Sequence, residues 1–173
     1  MLAHARHRLG IAAGLALLVL GFTLTGAAAF AASSSGNTTA NISVNDVITL
    51  SGLTSSFTLT GDPGATVTGN SKVAMNVLTN NPTGYTVTVQ SAAANLVGTG
   101  SNTNTIPIAA LQVRETSGVA FTPLSNAAAV PVHAQLTPSG ASGDSLSNDY
   151  RVTIPFVNAD TYSAQLNYVA ATT

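Results

Sequence analysis

The chain has no cysteine and no tryptophan, and charged side chains make up only 6% of its 173 residues. Each shortage excludes something. Without cysteine there are no disulfides, no thiol chemistry, no Cys-ligated zinc and no lipoprotein-type anchor. Stability must then come from apolar burial and from backbone hydrogen bonds. Beyond residue 31 the cations reduce to Lys72, Arg114 and Arg151, against Asp46, Asp62, Glu115, Asp144, Asp149 and Asp160, so three against six gives a net charge of −3. Following a phosphate backbone takes several Lys or Arg on one face. Nucleic acid is therefore excluded as a partner.

What is present begins with a leader. His4, Arg6, His7 and Arg8 make a basic start, and Leu9 to Leu24 is apolar apart from Thr23. Small residues follow in GAAAFAA. Basic region, apolar region and Ala-x-Ala site, in that order, form the secretory pattern. The spacing predicts a signal peptide over residues 1–31, cut after Ala31, with a cut after Ala29 as the second choice. The apolar run of 16 residues falls short of the roughly 20 that span a bilayer, so the membrane is expected to matter only during export. The ending NYVAATT shows no sorting-type anchor. Any attachment to a surface is thus expected to be noncovalent or through assembly.

Residues 32–40 (ASSSGNTTA, from Ala32) offer nothing to bury and read as a flexible polar lead-in. From residue 41 onward the signal is alternation with period two, the mark of a strand with one buried face. It runs through Ile42 and Val44, Ile48 and Leu50, and Phe57 and Leu59. It resumes at Val73, Met75 and Val77, and again at Tyr85, Val87 and Val89 after the Asn80-Asn81-Pro82-Thr83-Gly84 turn. Ile108, Leu111 and Val113 suggest a bulged strand. Val130, Val132, Ala134 and Leu136 alternate, as do Tyr150, Val152, Ile154 and Phe156, then Tyr162, Ala164, Leu166 and Tyr168. Ser91–Thr105 and Thr137–Asn148 read as long loops. Eight or nine short strands at this spacing predict an all-β fold, a single antiparallel β-sandwich over residues 41–173.

Chemistry is harder to find. His133 is the one histidine past the leader, and parity with Val132 and Ala134 sends it to the solvent face. Gly140-Ala141-Ser142-Gly143-Asp144 approaches a nucleophile elbow but lacks its final glycine, which leaves Ser142 and Ser145 as loop residues. Asp144, Asp149 and Asp160 lie in or near Gly/Ser-rich turns. Loop carboxylates with backbone carbonyls can hold calcium, but Asp also favours turns for its own hydrogen bonding. Calcium is the only cofactor for which candidates exist. Lys72 could join an isopeptide bond if buried; the inward parity of Val73, Met75 and Val77 turns it outward, where a solvated lysine discourages edge pairing. No catalytic constellation emerges, and no enzyme is expected.

Two stretches resemble bacterial surface families. TNNPTGYTVTVQS (Thr79 to Ser91) resembles the turn and core strand of WxL-type cell-wall domains, although Tyr85 stands where the family's tryptophan would be. ADTYSAQLNYVA (Ala159 to Ala170) resembles the closing strand of those domains, and is similar to that of spore-coat-U and pilin-like sandwiches. The resemblance implies an immunoglobulin-like or pilin-like extracellular sandwich with wall-associated or assembly roles.

Two kinds of function are compatible with these features. One is a structural subunit of a wall layer or filament, whose partner is a further copy of itself. The assembly strand would then come from Ile42, Val44, Ile48 and Leu50, donated to a neighbour; the same residues could equally form the first strand of their own domain. The other is a binding module that recognises a cell-wall polymer or a host ligand through its long loops.

Overall fold

The computed structural model describes residues 31–173. The expected leader therefore lies outside the described residues except for Ala31. The chain divides into two units between Asn41 and Ile42. Of the first, residues 31–41 form no helix or strand and every one is exposed.

The second unit is built from strands where Thr and Val alternate, residues that suit a pleated, half-buried surface. They are β1 (Ile48–Ser51), β2 (Thr66–Thr79), β3 (Tyr85–Ser91), β4 (Asn95–Val97), β5 (Thr105–Pro107), β6 (Leu111–Glu115), β7 (Thr122–Pro123), β8 (Val130–Gln135), β9 (Asp144–Thr153) and β10 (Leu166–Thr172), with one 3₁₀ turn at Ile108–Ala110. A five-stranded sheet runs β1-β2-β9-β6-β7, a three-stranded sheet β10-β3-β8, and β4 with β5 makes a hairpin. All pairings are antiparallel. The all-β expectation holds, and the arrangement is sandwich-like.

The two larger sheets bury their facing sides in one apolar cluster. Val73, Met75 and Val77 of β2 and Tyr150 of β9 meet Tyr85, Val87 and Val89 of β3 there. Full burial of one such side chain contributes about 2 kcal/mol. The β3 register is set from both sides, by β10 (Tyr168↔Val89) and by β8 (Val130↔Val89). At the start of β3, Gly84 has φ +91°, and a Cβ there would lie 1.9 Å from the Gln135 carbonyl oxygen. Only glycine fits that turn.

Several expected positions move, each for a physical reason. Ile42 and Val44 belong to no strand and are 89% and 78% exposed. β2 ends at Thr79, which pairs with Ile48, so the β2 ladder stops short of residues 42–47. Ile48 and Leu50 do form a strand, β1, against β2 of their own chain. Phe156 is 95% exposed, because Pro155 has no N–H to extend β9. In β8 the register slips between Val87 and Thr88, so that Val87 faces His133 while Thr88 faces Pro131. The extra residue, Val132, is a bulge, and it flips parity beyond itself. His133 therefore turns inward, with its side chain only 14% exposed, while Leu136 is 82% exposed. Both expected long loops are shorter than predicted. The first contains the β4–β5 hairpin, and the second stops at Asp144, where β9 begins.

Candidate functional site

A recess lies where the ladder gives out. Thr54 is the last residue held against β2 on the β1 side: its N–H donates to the Ala74 carbonyl (3.0 Å) and its Oγ1 accepts from the Ala74 N–H (2.9 Å). From Ser55 to Gly61 no backbone group bonds another described residue. Yet the burial pattern is that of a strand, with Phe57 and Leu59 half-buried and Thr58 and Thr60 exposed. Phe57 leans on the Tyr150 ring, centroids 4.4 Å apart. This segment forms one wall of an apolar groove of about 830 Å³. Residues 157–166 form the other wall, and Val73, Leu111 and Val152 lie beneath. Leu96 and Ile106 of the β4–β5 hairpin also reach it.

The far wall is braced by Asp160. Its carboxylate accepts from the Thr99 hydroxyl, the Asn102 amide (2.7 Å) and the Thr99 N–H (2.8 Å). The Thr99 hydroxyl first, and then the Asn102 amide, hold the Asp160 carboxyl down at about 2. Tyr162 donates its hydroxyl to the Asn158 carbonyl (2.8 Å).

The other two acidic residues singled out from the sequence sit elsewhere, and each is occupied by protein donors. Asp149 lies opposite Arg114 in the β9–β6 register. It accepts from Arg114 Nε (3.0 Å), the Thr116 hydroxyl (2.9 Å) and the N–H of Ser71 (2.8 Å). Ser71 has φ +48° in the bulge between Gly69 and Val73, so the buried carboxylate also pins that bulge. Burial alone would raise the Asp149 carboxyl, but the Ser71, Thr116 and Arg114 donors outweigh it and hold it below the ordinary value. Asp144 accepts from the Tyr85 hydroxyl (2.8 Å), Gln135 Nε2 (3.0 Å) and the Gly140 N–H (3.1 Å). It too lies below its ordinary value, the donors of Gly140, Tyr85 and Gln135 outweighing its burial. Burial, then the bond to Asp144, pushes the Tyr85 hydroxyl well above its usual value. Asp144, Asp149 and Asp160 are thus not gathered around one point. Among the described residues no three His, Cys, Asp or Glu side chains form a metal-holding group.

The cluster that sequence parity missed is centred on His133. Its Nδ1 is 2.8 Å from Glu115 Oε1, and its ring lies 5.3 Å from that of Tyr85. Its Nε2 is buried and meets no hydrogen-bond partner among the described residues. A general base works on a hydroxyl or water within hydrogen-bond reach. Among the described residues no hydroxyl lies within hydrogen-bond reach of this nitrogen. Ser142 accepts a bond from Asn76 through its backbone carbonyl and takes no part in the cluster. Lys72, expected to be solvated, is half-exposed beside the β2 bulge. Nothing local in PVHAQL marks the bulge, and only the β3 register reveals it.

Compared with protein-family models and with curated proteins, the chain matches none.

Proposed function

We propose that the chain is an exported, non-catalytic structural protein, a subunit of a wall layer or filament that assembles with copies of itself. In this reading residues 1–31 are removed on export, and the remainder folds as a single immunoglobulin-like or pilin-like sandwich. The observation that carries it is the surface. Ile42, Val44, Val119, Leu136 and Phe156 are 78% to 97% exposed, on a chain with nine charged side chains past residue 31. Apolar side chains standing out from a weakly charged surface are buried most cheaply by association, and little electrostatic repulsion opposes it.

A second reading keeps the chain monomeric, as a module that binds a cell-wall glycan or a host ligand. The approach of the β4–β5 hairpin to the apolar groove favours it, since long loops flanking a recess are common ligand sites. The absence of tryptophan weighs against a glycan-stacking platform. Electron microscopy of purified residues 32–173 separates the two. Filaments or sheets are expected, and monodisperse particles at every concentration would overturn the assembly reading.

A further inference from the structure

Two strand-like segments find no strand partner among the described residues, and their patterns match. Ser55–Gly61 presents a backbone that makes no ladder with any described residue, beside an apolar groove of about 830 Å³. Ala40, Ile42 and Val44 alternate with Asn41 and Ser43 in a segment that is exposed at every position. At 89% and 78% exposure Ile42 and Val44 are free to cover an apolar surface elsewhere, and an unpaired edge beside a groove is what an added strand needs. The added strand gains backbone hydrogen bonds from the edge and places every second side chain in the groove.

Resting on the self-assembly reading above, we infer that residues 39–44 of one copy add as a strand along Ser55–Gly61 of a second copy, with Ile42 and Val44 entering its groove. Three observations narrow donor and acceptor. Ile48–Ser51 is engaged by β2 of its own chain. Asn45 to Val47 are tied down by Asn80, Asn81 and Thr79: the Asn80 amide donates to the Asn45 carbonyl (2.8 Å), the Asn81 amide to Asp46 (2.7 Å), and the Thr79 hydroxyl to the Val47 carbonyl (2.7 Å). The free donor therefore ends at Val44. Its alternation from Ala40 to Val44 spans about 13 Å at 3.3 Å per residue, and Ser55–Gly61, at seven residues, is long enough to receive it. On the acceptor side, Phe57 and Leu59 already point inward, so a strand paired with them directs its own apolar positions the same way. The donor and acceptor surfaces differ, which makes the contact head-to-tail. Such contacts extend into filaments when the rotation between copies does not close a ring.

The lack of cysteine gives a clean test in the mature chain, residues 32–173. Ser43→Cys is placed in one preparation. Thr58→Cys, and Thr60→Cys to cover a two-residue slip in register, are placed in a second that carries a mass tag. All three positions are exposed, so folding should be kept, and circular dichroism checks that it is. Adjacent strands bring paired Cβ atoms to about 5 Å, close to disulfide reach. Mixing and mild oxidation should give a tagged heterodimer with Thr58→Cys or Thr60→Cys, and far less with Thr122→Cys on the opposite edge strand β7. The double variant Ile42→Asp with Val44→Asp should weaken assembly about tenfold or more, since two side chains lose their apolar burial. If sedimentation shows polymers but the heterodimer is missing, or forms equally at Thr122→Cys, this contact is overturned while self-assembly stands. If no polymers form at all, both fall.

Discussion

β3 and the segment Ser55–Gly61 carry the same kind of sequence and have different fates. In Tyr85–Ser91 every second side chain is buried and the strand is paired on both edges, with β10 and β8. In Ser55–Gly61 Phe57 and Leu59 also turn inward, but among the described residues the backbone is paired on neither edge. Alternation therefore encodes a face and leaves the partner open. Whether a segment becomes a strand depends on what lies beside it, and among the described residues no strand pairs with Ser55–Gly61.

The contrast predicts a graded response to the same substitution. Val87 is fully buried, and Val87→Asp would leave a carboxylate without water or a cation. That costs several kcal/mol, comparable to the whole stability of a domain. Circular dichroism should show an unfolded chain. Ile154, by contrast, is half-buried and lies past the end of β9, on the groove itself. Read from the sequence as core, Ile154→Asp would be expected to abolish folding too. From its place at the rim the carboxylate can reach water, and urea denaturation should show a loss of only about 1–2 kcal/mol, the apolar burial forfeited.

Asp149 lies between these extremes in effect. Asp149→Ala removes a carboxylate that serves Arg114, Thr116 and the Ser71 N–H together. Arg114 keeps 27% of its side chain exposed, so water can serve its guanidinium again, and the expected cost is about 2–4 kcal/mol. The loss should fall on the β2 bulge. The pH dependence has a definite sign. The folded carboxyls of Asp149 and Asp144 lie below their ordinary values, so the folded state holds fewer protons than the unfolded one as acid is added. Their contribution is fully present above the ordinary carboxylate range near 4. It is lost as pH falls through the folded values. Urea midpoints measured from pH 7 down to pH 3 should fall at the acid end, and fall less steeply in Asp149→Ala.

Much of this fold was legible in the sequence because apolar alternation survives wherever both partner strands are apolar. β2, β3, β6 and the Tyr150–Val152 part of β9 face the way their spacing predicts. The half of β9 from Asp144 to Asn148 was not legible, since Asp, Ser and Asn have low strand propensity. It forms because Met75 and Val77 of β2 lie opposite Leu146 and Asp144 and carry the ladder on. The inward turn of His133 was hidden for another reason: a bulge is a property of a pair of strands, and one strand's sequence cannot display it. The groove was hidden likewise. Phe57 and Leu59 announce a buried face, but the missing ladder beside them is visible only once every other strand has found its partner.

Amide hydrogen exchange, followed for Ser55–Gly61 and for Tyr85–Ser91 in dilute and in concentrated mature protein, tests that contrast most directly. Tyr85–Ser91 should exchange slowly under both conditions. Ser55–Gly61 should exchange rapidly when dilute and become protected on concentration, together with residues 39–44. Strong protection of Ser55–Gly61 in the dilute monomer would show that its backbone is already paired within the chain, and would contradict the account at its root.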